Sequence, residues 1–255
     1  MGRVRVVRHS GLRRRVLWGG GEVLVTVGVV LLLLVVHQMW WTNREARAGA
    51  RREVRALERS WDGGGAPESP TAVPAASDPP APASDAASGR SAGGVRRPAA
   101  EAAPDWSRAY AILTVPRLNL RVPVAEGVGR NGVLNKGYVG HYPGTQQPGQ
   151  AGNFALAGHR NTHGEPFRYI NRLEPKDTVR VETRSATYTY AVDRTLRQTA
   201  AHDGGVIRPI PRSAVVPGHG YDEPGYYLTL TTCTPEYTSK YRLVVWGKLV
   251  SMRPR

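Results

Sequence analysis

Cysteine is almost missing from this chain. Cys233 is the only one among 255 residues. No intrachain disulfide can form, so the thiol is either a small buried hydrophobe or a reactive group. Lysine is scarce as well, with four residues against 31 arginines in a chain rich in Ala, Gly, Pro and Val. A GC-rich genome produces such usage, so the formal net charge of +15 points to no particular partner by itself. That charge lies at the two ends and is absent from the middle. Residues 62–105 have hardly any large apolar side chains. They cannot bury enough surface to fold and read as a disordered tether, stiffened locally by proline. No acidic cluster demands calcium, and no internal repeat occurs. A recognition helix, an RNP-like aromatic run and a zinc motif are all lacking, so no nucleic-acid partner is expected.

One motif match is a turn. "GVGRNG", residues 127–132, has the Gly-x-Gly-x-x-Gly spacing but opens no helix and belongs to no βαβ unit. Its Asn-Gly step favours a turn.

What is present falls into four parts. Residues 1–15 form a basic tail with six arginines. Residues 16–41, "VLWGGGEVLVTVGVVLLLLVVHQMWW", supply about 20 apolar positions, enough for one membrane crossing. Trp40 and Trp41 stand where an interfacial aromatic belt belongs. A cleaved signal peptide is the competing reading, since "ARA" and "AGA" follow the run. Two tryptophans followed by arginine-rich sequence favour a signal-anchor. Residues 42–105 comprise a charged, helix-compatible stretch to residue 61 and then the Pro/Ala/Ser/Gly-rich tether.

Residues 106–252 change to short runs of β-type composition: "AILTVPRLNLRVPVAEG", "NFALAGH", "DTVRVETRS", "ATYTYAVDRTLRQT", "YYLTLTTC" and "YRLVVWGKLV". Alternation puts Leu228 with Leu230, and Tyr188 with Tyr190, on shared faces. The pattern predicts an all-β domain, a closed barrel or a sandwich. Only residues 165–173, "EPFRYINRL", read as a short helix.

Cys233 ends an apolar strand and precedes a polar turn, where a nucleophile would be accessible. Arg242 opens the next strand, and a short antiparallel return would bring it alongside Cys233. Its guanidinium can donate two hydrogen bonds to an oxyanion without losing its proton. A base is needed. Of seven histidines, His159 ends the run "NFALAGH", with Gly158 leaving room for close approach; His163 is the fallback. A zinc site of His159, His163 and Cys233 lacks a fourth ligand, and no metal or other cofactor is expected.

These segments together resemble the sortases, membrane-anchored cysteine transpeptidases of Gram-positive bacteria. "TLTTC", residues 229–233, is similar to the TLxTC signature. "NFALAGHR", residues 153–160, resembles the segment ending in the catalytic His, and "YRLVVWG" supplies the Arg. The order His, Cys, Arg is the family's. "GHYPGTQQPGQAGNFALAGHR" is most similar to class E, with class D the nearest competitor.

The resemblance implies a closed barrel of about eight strands with one or two short helices. It implies cleavage of a C-terminal LAxTG- or LPxTG-type sorting signal between Thr and Gly through a thioacyl-enzyme on Cys233. His159 would act as acid and base, and Arg242 would hold the carbonyl. Tyr142, His141 and Thr232 become candidate substrate contacts. The implied partners are proteins bearing sorting signals, an amine of the peptidoglycan precursor and the membrane, with the N-terminus cytoplasmic and the catalytic domain outside. A cysteine hydrolase on the same fold and a non-catalytic module tethered at the cell wall are the alternatives.

Overall fold

The computed structural model describes residues 10–63 and 108–255, with side chains from residue 21 onward. The beginning of the basic tail and nearly all of the expected tether lie outside the described residues.

Helix α1 runs unbroken from Ser10 to Asp62. No proline occurs before Pro67, so nothing removes a backbone donor along it. The glycines that follow Asp62 end it, with Gly63 N–H closing on Arg59 O at 3.0 Å. The helix has two different surfaces. Its apolar residues between Val23 and Trp41 are exposed, and this part is long and apolar enough to cross a membrane. Beyond it, Ala46, Ala50 and Val54 are buried. Their spacing of four places them on one helical face, and Ala50 packs with Ala109, Ala125, Val133 and Tyr138 of the β domain. Small side chains allow this close approach. The structure docks residues 43–62 directly on the barrel, a contact with no local sequence signal.

Eight strands close the barrel: β1 Ala109–Val115, β2 Leu120–Glu126, β3 Val139–His141, β4 Gly152–Ala157, β5 Thr178–Thr183, β6 Ala186–Ala200, β7 Tyr226–Thr234 and β8 Tyr241–Pro254. Their order around the barrel is β1-β2-β3-β4-β7-β8-β6-β5. The β2/β3 and β4/β7 pairs are parallel and the other six antiparallel. Alternate residues fill the interior, including Leu113, Val124, Phe154, Leu156, Val181, Leu228, Leu230 and Val245. β3, three residues long, carries too little periodicity to stand out in the sequence.

Residues 201–225 cover part of the barrel's outside. Val206 and Tyr221 pack on Tyr227, Val244 and Trp246 of β7 and β8. Buried Asp203 fastens this segment by accepting hydrogen bonds from Thr199 Oγ1 (2.6 Å), Ser213 Oγ (2.5 Å) and Ala214 N–H (3.0 Å). The helix expected at residues 165–173 is only the 3-10 turn Ile170–Arg172. His163, Gly164 and Glu165 all have positive φ, and Pro166 follows; neither feature suits an α-helical start.

Candidate active site

Strand direction assembles the site. β4 and β7 run parallel with Ala157 level with Thr231, so both reach the same rim of the barrel. Two residues further on stand His159 and Cys233. β8 returns antiparallel and places Arg242 directly opposite Cys233. Opposite residues project to one face of a sheet with Cβ atoms about 5 Å apart. Along β7 that face also carries Tyr227, Thr229 and Thr231. Tyr227 lies under the 201–225 segment, whereas Cys233 emerges beyond it and is partly exposed.

A cleft of about 780 Å³ opens there, lined among others by Cys233, His159, Arg242, Tyr142, Thr231 and Arg130. Its walls are tightly held. Gly158 has no space for a side chain, because a Cβ would stand 2.8 Å from the Phe167 ring. The Thr232 hydroxyl donates to Gly158 O at 2.8 Å, tying β7 to the residue before His159. Buried Arg160 donates through Nη1 to the Cys233 carbonyl (3.2 Å) and to Thr234 Oγ1 (2.8 Å). It fixes the backbone at the thiol from behind.

His159 is neutral at physiological pH. Burial chiefly, then neighbouring His163 and Arg130, lower its pKa from 6.5 to about 4. Nε2 lies 2.9 Å from Asn135 Oδ1. A neutral ring donates its Nε2–H to that oxygen and keeps a lone pair on Nδ1. The His163 ring stacks on it with centroids 5.3 Å apart. Arg242 donates through Nη1 to Ser239 O and Tyr241 O at 2.9 and 3.0 Å, which orients the guanidinium and leaves its other nitrogens for a ligand.

The remaining sequence candidates separate. The Tyr142 hydroxyl is 3.0 Å from Thr231 Oγ1 and faces the cleft. Thr232 spends its hydroxyl on Gly158 O. His141 is turned into the protein: Nδ1 lies 2.6 Å from Glu126 Oε2 and 3.0 Å from the Tyr110 hydroxyl, and Nε2 contacts Thr145 Oγ1 and Gln146 O. The structure does not bring it to the cleft. Among the described residues, no group of three or more His, Cys, Asp or Glu is placed to hold a metal ion. Sequence reasoning missed Asn135 and assigned no role to Arg160, although Arg160 directly follows the histidine. Asn135 carried no local signal, since the fold alone brings it to His159.

Residues 113–250 match the sortase domain family. The chain belongs to the sortase family. It is 41% identical over 240 residues to Sortase SrtE1 of Streptomyces coelicolor, an alignment covering 92% of this chain and 57% of that protein. The chain thus spans little more than half the length of that relative. Sortase D of Bacillus subtilis is more distant, 30% identical over 151 residues that cover 58% of this chain and 67% of that protein. The crystal structure of Sortase E1 from Streptomyces coelicolor with a tripeptide in the active site superposes with a TM-score of 0.55 at 49% identity, covering 58% of this chain and 92% of that one. This sortase therefore groups with class E rather than class D.

Proposed function

We propose that this sortase is a membrane-anchored cysteine transpeptidase that cleaves a C-terminal LAxTG- or LPxTG-type sorting signal between Thr and Gly and transfers the protein to a cell-wall amine. One observation carries the reading. A partly exposed thiol stands directly opposite a guanidinium and shares its cleft with a neutral imidazole two residues beyond the end of the adjacent parallel strand. The tripeptide in the active site of the related Sortase E1 is the kind of ligand such a cleft takes.

The chemistry follows from these groups. As Cys233 Sγ attacks the Thr carbonyl carbon, its proton passes to His159, whose neutral ring has a lone pair to accept it. Arg242 donates hydrogen bonds to the carbonyl oxygen as it becomes an oxyanion. Collapse of the tetrahedral intermediate breaks the Thr–Gly bond. The His159 proton leaves on the glycine amine, and a thioester remains on Cys233. An acceptor amine then attacks the thioester and gives its proton to His159. The new amide forms, and the proton returns to the thiolate. Tyr142, on the cleft wall, contacts the small second residue of the signal. Thr232 acts through Gly158, and His141 holds the segment bearing Tyr142.

The apolar part of α1 spans the membrane with its N-terminus in the cytoplasm, so the barrel lies outside beside its substrates. The test uses the full chain in detergent, as wild type and Cys233→Ala, with fluorogenic LAETG and LPETG peptides and with or without triglycine. Cleavage after Thr together with a triglycine adduct by mass, both lost in the variant, is the expected result. Cleavage with no adduct for any amine would make it a hydrolase. No cleavage by folded protein would overturn the reading in favour of a tethered binding module.

A further inference from the structure

The loop that carries His159 is held from outside the barrel. Glu165 is buried, and its carboxylate accepts three side-chain hydrogen bonds. Asn43 Nδ2 and Arg168 Nη1 reach Oε1, and Arg47 Nη2 reaches Oε2, each at 2.9 Å. Arg47 Nε also donates to Gly164 O at 3.0 Å, and Gly164 N–H donates to Asn43 Oδ1 at 3.1 Å. Asn43 and Arg47 are one turn apart on α1, so a single helix face makes four of these five bonds. The segment they grip, His163 to Glu165, has positive φ at all three residues, a conformation that side-chain-bearing residues hold only when their surroundings impose it.

The same turn of helix reaches the other side of His159. A Cβ on Gly137 would stand 2.9 Å from Ala46 O and 3.1 Å from His163 O, so the helix, the Asn135 segment and the His163 loop meet in close contact. His159 lies between the last two, bonded to Asn135 and stacked on His163. One turn earlier, Met39 lines the catalytic cleft itself.

We propose that α1 supports the catalytic site where its apolar span ends, Met39 lining the cleft and Asn43 and Arg47, one and two turns further on, positioning His159 through Glu165 and the His163 loop. The acid–base residue is then aligned by the element that attaches the protein to the membrane. The cleft also opens within a helical turn of Trp40 and Trp41, close to the expected membrane surface. This inference rests on the acid–base role given to His159 above.

The experiment compares full-length wild type, Arg47→Ala, Arg47→Lys and Glu58→Ala in nanodiscs. Glu58 pairs with Arg121 at 2.7 Å, eleven residues or about 16 Å further along the helix, so its loss weakens docking without touching the His163 loop. Arg47→Ala is expected to lower kcat about tenfold with little change in KM. Arg47→Lys should recover part of that loss, and Glu58→Ala should stay within about twofold of wild type.

NMR of the imidazoles supplies a readout independent of turnover. His163, Arg130, Arg160, Arg242, Cys233, Tyr142 and Tyr237 are the titratable and charged groups that line the cleft with His159, and all remain in the variants. In Arg47→Ala the His159 titration should move upward toward 6.5 as the ring becomes more exposed. Wild-type kcat and titration in Arg47→Ala would overturn the inference, as would an equal loss in Glu58→Ala. If wild type processes no peptide, the transpeptidase reading falls, and the His159 titration still decides whether Arg47 positions the ring.

Discussion

At the residue scale, the proposed reaction is divided among three side chains, and His159 departs from its ordinary state for a local reason. His159 loses most of its basicity to burial and to two cationic or ionisable neighbours, so the resting ring is a proton acceptor. NMR should find it titrating near pH 4. The sign of the stability effect follows. The unfolded histidine binds a proton below about 6.5 and the folded one only below about 4, so native stability at this site falls as pH drops from 6.5 to 4 and is unaffected above that window. Thermal melts across this range should show a steeper acid loss for wild type than for His159→Gln. Arg242→Lys keeps a charge but loses the planar fork. It is expected to lower kcat roughly a hundredfold while leaving KM nearly unchanged, measured on the same fluorogenic peptide.

At the element scale, the parallel β4/β7 pair is the decisive feature. It sends two strand ends to one rim and so brings His159 to Cys233 across 74 positions of sequence. Gly158 is the joint between them. Gly158→Ala forces a methyl group against the Phe167 ring and should destabilise the fold by about 1–3 kcal/mol. It should also shift the His159 ring, so peptide cleavage falls more than unfolding accounts for. The 201–225 segment gives a contrasting case. Asp203→Ala strands the hydroxyls of Thr199 and Ser213 and should cost about 1–3 kcal/mol in denaturant midpoint experiments. Residual activity in the folded fraction should persist, because Asp203 is not part of the cleft.

At the scale of the whole molecule, a helix that begins as an apolar span ends as part of the catalytic domain. Ala46, Ala50 and Val54 make that continuity, since larger residues would hold the helix off the barrel. Ala50→Glu forces a larger, charged side chain into the apolar contact with Ala109, Ala125 and Tyr138, where both its volume and the desolvation of its charge oppose docking. Trypsin should then cut rapidly after Arg51, Arg52 and Arg55, sites that the docked wild-type helix protects. Equal cleavage of the two proteins would show that this packing does not persist in solution.

The sequence by itself determined the single thiol, the apolar span, the β-rich domain and the order of the three candidate catalytic residues. These are local properties: composition, run length and alternation are written into neighbouring positions. The likeness at residues 153–160 and 229–233 identified the family for the same reason. Only the tertiary structure decided which supports surround those residues. Asn135, Arg160 and Glu165 gain their roles from strand pairing and helix docking across 24 to 122 positions of chain. It also turned His141 inward, reduced the helix expected at 165–173 to the 3-10 turn Ile170–Arg172 behind a left-handed bend at 163–165, and laid the charged segment after the span along the barrel. Such outcomes depend on which surfaces meet once the barrel closes, and no local pattern encodes that contact.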